Sequence, residues 1–184
     1  MYARRNIPGS FAKSHLKYAS SFVLDAIHDT DLMLWYTGSK VSSIYASISK
    51  VGDYPHPNSG IGIYNFSDGA KGICEVVWVL REKTPFSIDA KLEVLGTEGA
   101  IYVDCAESGL LINYKNGTKM PDTIHWPELH GEITGALRDE VAYWIRCVAT
   151  ETKPTVVTPS EARDALAVVL GAEESALRNQ LVGL

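Results

Sequence analysis

Apolar residues recur along this chain first with a helical period, then with a period of two, then again with a helical one. Residues 22–37 keep the first spacing, and Gly38 follows where a left-handed residue would end a helix. From Val41 the alternation is strand-like. "VSSIYASI" (41–48) alternates along its length, while "GIGIYNF" (60–66) and "GICEVVWVL" (72–80) are β-branched and aromatic runs parted by Asp68-Gly69, a hairpin signal. "FSIDAKLEVLG" (86–96) and "AIYVDC" (100–105) flank Gly96-Thr97-Glu98-Gly99, and "GLLINYK" (109–115) meets a turn at Asn116-Gly117. Residues 2–6 predict a short strand, and residues 8–20, rich in Ser, Gly and Lys, an irregular stretch.

Two helices close the sequence. In "TGALRDEVAYWIRCVATE" Leu137, Val141, Trp144, Ile145 and Val148 share one face, so the helix is expected to cover something, with Arg138, Asp139 and Arg146 turned away. Thr158-Pro159-Ser160-Glu161 combines an N-cap, a first-turn proline and a glutamate three residues on, and Ala162, Leu166, Val169, Leu170 and Leu177 form the expected buried stripe. This order predicts an α+β domain. Its sheet is open and largely antiparallel, with helices packed on one face and the other left to solvent or a partner. Strands 73–80 and 86–94 carry apolar residues on both faces, Ile73/Val77/Val79 and Val76/Trp78/Leu80, so a homo-oligomer through the open face is expected, with Trp78 or its neighbours in the contact.

Length and composition narrow the function. With 184 residues, 46% of them hydrophobic, the chain fits one domain, residues 1–184, with a real core. A net charge of −5 without a Lys/Arg run argues against nucleic acid or an anionic membrane as partner, and a small polar ligand fits better. Cys74, Cys105 and Cys147 are odd in number and lack C-x-x-C spacing, so they read as reduced thiols. With no apolar leader, and no run near the roughly 18 apolar residues of a membrane span, the expected location is cytoplasmic.

Gly60-Ile61-Gly62 is the only glycine pattern close to a dinucleotide loop, but Asn65 replaces the third glycine and a strand, not a helix, follows. "LGTEGA" lacks a P-loop lysine and reads as a hairpin. The ionisable cluster lies elsewhere. On a helix Asp25, His28 and Asp29 fall at i, i+3 and i+4 and project together. Three readings are open: the aspartates favour the helix dipole and His28 is incidental; the carboxylates tune the imidazole as a general acid/base; or the three take part in a metal-dependent hydrolase or isomerase.

"LDAIHDTDLMLWYTGSKVSSIYA", "LEVLGTEGAIYVD", "ALRDEVAYWIRCV" and "PSEARDALAVVLGAEESA" resemble, in that order, the C-terminal domain of the glucose-fructose oxidoreductase and inositol dehydrogenase (Gfo/Idh/MocA) family. The resemblance implies the substrate-binding half of an NAD(P)-dependent oxidoreductase acting on a sugar or cyclitol hydroxyl. Its N-terminal Rossmann domain, which holds NAD or NADP, is absent from this chain, and the fragment alone is expected to be inactive. It also implies that His28 is the acid/base. Family members often carry an aspartate four residues earlier, where Leu24 stands; Asp25, three before, is also one turn away and is the catalytic partner. Asp29 matches the family's "HD", and Asp29, Arg4 and Arg5 are the candidate substrate-binding residues. The alternative is a binding or oligomerisation module without chemistry.

Overall fold

A computed structural model describes residues 1–107 and 109–184. Its first strand, β1 (Tyr2–Pro8), leads into α1 (Gly9–His15). Helix α2 opens with one wide π-type turn, Phe22–Ala26, and continues as Ile27–Thr37; Gly38 ends it with φ 59°. The strands β2 (Val41–Ser49), β3 (Ser59–Phe66), β4 (Lys71–Leu80), β5 (Asp89–Leu95) and β6 (Ala100–Asp104) follow. Two small hairpins come next, β7 (Ile112–Tyr114) with β8 (Gly117–Lys119), and β9 (Glu128–Leu129) with β10 (Glu132–Ile133). Then come α3 (Ala136–Ala149), α4 (Pro159–Arg178) and the short β11 (Val182–Gly183).

Seven strands form one sheet in the order β11-β2-β3-β4-β1-β5-β6. Only β1 against β4 is parallel; every other pairing in that sheet is antiparallel. The α+β class and the largely antiparallel sheet are as the sequence predicts. On one face lie α2 and α4, over a core that includes Phe22, Met33, Ile44, Tyr64, Val76 and Val169. The opposite face is bare, with Tyr45, Ile61 and Ile63 each at least 40% exposed beside half-buried Ile73, Val77 and Val79.

Four expectations need correction. Residues 9–15 are helical: Phe11 stacks on His15 with ring centroids 4.4 Å apart, and Ala12 and Leu16 are buried, an amphipathic turn obscured by its serines and lysines. Trp78 lies on the helix side of β4, 2% exposed, so its neighbours Val77 and Val79 and not its own ring face the open side. The apolar stripe of helix α3 is left largely open among the described residues. Leu137, Val141, Trp144, Ile145 and Val148 are 48–64% exposed. In α4 the buried face is Ala165, Val168, Val169, Ala172 and Ser175, while Leu166, Leu170 and Leu177 point out. Close approach decides this: Ser175 Oγ accepts the Ala46 backbone N–H at 3.0 Å, which leucine-sized side chains would prevent. The capping box of Thr158 and Glu161 is formed as the sequence indicates.

Candidate functional site

Strand alternation separates two adjacent arginines. Arg5 shares its face with Ala3 and Ile7, both buried, and so points to the helix side at the start of α2. Arg4 points the other way, with Tyr2 and Asn6. There it donates to Asp89 at 3.0 Å, beside Glu75, which accepts from the Tyr2 hydroxyl and the Asn6 amide, each at 2.9 Å. Arg4 is therefore not part of one site with His28, contrary to its grouping with Arg5, because one residue along a strand reverses the face.

The Arg5 guanidinium grips Asp29 with two bonds, Nε to Oδ2 at 3.2 Å and Nη2 to Oδ1 at 3.1 Å. That is the bidentate fork that suits this pair. Asp25 Oδ1 is 4.0 Å from Arg5 Nε, a charge contact and too long for a hydrogen bond; Asp25 instead accepts the Trp78 indole N–H at 2.6 Å. Asp25 belongs to the π-type turn and Asp29 to the α-helical run after it, so the two carboxylates reach the same arginine from successive turns. Such wide turns occur frequently at functional sites.

Burial dominates the electrostatics. It pushes the Asp25 and Asp29 carboxyls up from the ordinary aspartate range, against the Arg5 charge that acts first to lower both. Burial also opposes the Arg5 charge, but Asp29 first, then Asp25, outweigh it and hold the guanidinium above its usual value. With both oxygens engaged by N–H donors, Asp29 is the ionised partner of the fork. Asp25 has no guanidinium bond and is held instead by the Trp78 indole N–H.

His28 sits on the outer side of the same turns, exposed, with no hydrogen bond to its ring among the described residues. Its charged form lowers the pKa of Asp25, Asp29 and Asp31, which places the ring in their field. The arrangement is thus an accessible imidazole at the rim of a buried Asp25–Arg5–Asp29 frame. An imidazole so placed can take a proton from a hydroxyl at the surface while the frame keeps its helix turn rigid. A cavity of about 970 Å³ lies on another flank of α2, among Trp35, Ser39, Val156, Asp164 and Leu184, and neither His28 nor the Asp25–Arg5–Asp29 frame lines it.

Sequence reasoning missed the Trp78 indole as a partner of Asp25, although Trp78 falls on the same strand face as buried Val76 and Cys74. It also missed the Arg5–Asp29 fork, for which the alternation Ala3, Arg5, Ile7 was the available signal. Among the described residues no three His, Cys, Asp or Glu side chains come together as a metal-holding group, and both Asp29 oxygens are occupied by Arg5. The geometry gives the metal-dependent reading no support. Neither do these residues fit a nicotinamide dinucleotide. Gly60 and Gly62 lie in β3 under the Phe22 ring, where an added Cβ would stand 3.1 and 2.9 Å from ring carbons, and Gly96 and Gly99 close the β5–β6 hairpin.

Comparison with known proteins places this geometry in context. A model of the GFO/IDH/MocA C-terminal domain matches residues 4–102. Among solved structures, myo-inositol 2-dehydrogenase from Lactobacillus plantarum superposes with a TM-score of 0.73 at 21% identity, over 100% of this chain and 56% of that one. GenD2 from gentamicin A biosynthesis, in complex with NAD, gives 0.76 at 18% identity over 100% and 55%. Scyllo-inositol dehydrogenase from Lactobacillus casei, with bound NAD(H) and scyllo-inositol, gives 0.68 at 15% identity over 99% and 56%. The chain spans about half the length of these solved structures. Among curated proteins, none matches. No helix is long and apolar enough to cross a membrane among the described residues. With the family model matched over more than half of its length, this chain belongs to the GFO/IDH/MocA C-terminal domain family.

Proposed function

We propose that this chain is the substrate-binding domain of an NAD(P)-dependent oxidoreductase that interconverts a sugar or cyclitol hydroxyl and the corresponding ketone. The observation that carries the reading is His28, an exposed imidazole on the rim of the buried Asp25–Arg5–Asp29 frame. Oxidising a secondary alcohol removes a proton from oxygen and a hydride from carbon. A nicotinamide held by a separate dinucleotide domain is the hydride partner, and this chain supplies the proton's destination at His28. Asp25 lies one turn before that imidazole, and Arg5 with Asp29 fixes the turn that carries it. Fold-relatives that hold NAD and scyllo-inositol support the ligand class.

The test is turnover by the full-length protein with NAD⁺ or NADP⁺ and a panel of myo-inositol, scyllo-inositol and glucose. Reduction of the nicotinamide with at least one polyol is expected; a folded full-length protein that reduces neither cofactor with any of them contradicts the reading. Copies of the domain associate through the open sheet face, with Ile61, Ile63 and Val77 in the contact. Light scattering at tens of micromolar then gives a dimer or larger, and a monomer contradicts that part.

A further inference from the structure

The turn at residues 122–126 is unusually well anchored for a segment outside any regular element. Asp122 Oδ1 accepts the backbone N–H groups of Ile124 and His125, each at 3.0 Å, and Oδ2 accepts that of Trp126 at 3.1 Å. Burial works against ionisation of this carboxyl, but those amides, His125's first, together with the His125 ring, outweigh it and hold it at about 2. From the other side, α3 starts on the same turn. Ala136 N–H donates to the Ile124 carbonyl at 2.9 Å and Leu137 N–H to the His125 carbonyl at 3.1 Å. Gly135 allows this approach: its φ is 92°, and a Cβ there would stand 2.5 Å from the Ile124 carbonyl oxygen.

The result is a fixed imidazole. His125 Nδ1 lies 2.9 Å from Asp122 Oδ1, and since a carboxylate only accepts, Nδ1 carries the proton. The other ring nitrogen, Nε2, has no hydrogen bond among the described residues, and the side chain is 17% exposed. His125 shares a small cavity with Ser87, Cys105 and Met120. The Cys105 N–H donates to the Ala90 carbonyl at 2.9 Å, and Ala90 pairs with Arg5 across β5 and β1, so the turn neighbours the frame behind His28. With Nδ1 turned to Asp122, Nε2 is the ring nitrogen left to meet a ligand, and a hydroxyl, which can both donate and accept, suits it.

We propose that His125 is a second substrate-binding residue of the same site, its Nε2 hydrogen-bonding a polyol hydroxyl other than the one oxidised, with Asp122 as the positioning residue that fixes its tautomer. This deepens the proposed function and rests on it. The test uses the full-length enzyme, its best substrate from the inositol and glucose panel, and monodeoxy analogues of that substrate. His125→Phe raises KM roughly tenfold, the worth of one lost hydrogen bond, and leaves kcat within about twofold. One monodeoxy analogue shows the same roughly tenfold KM loss with the unmodified enzyme and no further loss with His125→Phe. Asp122→Asn raises KM less, and adding it to His125→Phe changes nothing more, which a purely structural role for Asp122 does not predict.

An enzyme whose turnover depends on His28 but whose KM values are unmoved by His125→Phe overturns this contact alone. Absence of any polyol turnover overturns the proposed function and the contact with it. If His125→Phe does not fold, the deoxy series on the unmodified enzyme decides: no single non-reacting hydroxyl worth about tenfold in KM overturns the contact.

Discussion

The seven-stranded sheet with α2 and α4 hides Phe22, Met33, Ile44, Tyr64 and Val169 completely, whereas between residues 106 and 157 only Ala106 and Cys147 are buried apolar residues among those described. Helix α3, in the second region, is as clearly two-sided in sequence as any element, yet Trp144 and Ile145 are 56% and 59% exposed. A helical stripe says that a face is suited to cover; it does not say that the cover comes from the same chain. The match to the family model ends at residue 102, shortly before that second region begins. Polar groups follow the division too. The first region buries an arginine between two carboxylates, and the second keeps most of its polar side chains in water.

Breaking the buried frame should have the largest effect on folding. Arg5→Met leaves Asp29, 2% exposed, without its fork, and a buried charge stripped of its partner costs about 3–5 kcal/mol. The loss should depend on pH. Without Arg5 the folded-state pKa of Asp29 rises further above its unfolded value, so the variant is least penalised below the unfolded value of about 4 and loses stability as pH rises through the folded one. Denaturant titrations at acid and neutral pH measure this; a pH-independent loss contradicts the account of the frame. In the second region the expected effect is smallest. Trp144→Ser and Ile145→Ser, on a face more than half exposed, should change the chain's unfolding free energy by less than about 0.5 kcal/mol each. A loss above about 2 kcal/mol in either would mean that α3 is part of the core after all.

The contrast also explains what the sequence revealed. Alternation located β2 to β5 closely, since one face of each of those strands is covered, and Gly38 and the Thr158–Glu161 box marked helix ends by backbone chemistry that acts locally. The buried side of α4 was misread because hydrophobicity ranks Leu166 and Leu170 above Ala172 and Ser175, while close approach to β2 selects the smaller pair. For the candidate site, helical spacing set Asp25 and Asp29 one turn apart, but it showed neither their counter-charge nor that His28 lies on the exposed side of the same turns. Arg4 and Arg5 look equivalent as letters and differ only by strand parity, which matters once the faces of β1 are known. Trp78 donates across 53 positions of sequence, and no local pattern encodes such a contact.

The most direct test of the central claim, that the proton is handled by His28 on a frame built by Arg5 and the two aspartates, is the kcat of His28→Asn in the full-length enzyme. Asparagine keeps a planar polar side chain at an exposed position, so folding should be intact. Turnover is expected to fall by roughly 10²- to 10⁴-fold, the usual worth of a positioned proton acceptor, while the affinity for the nicotinamide stays within about twofold. Wild-type kcat in a folded His28→Asn enzyme would contradict the account and leave the cluster as the cap and brace of a helix.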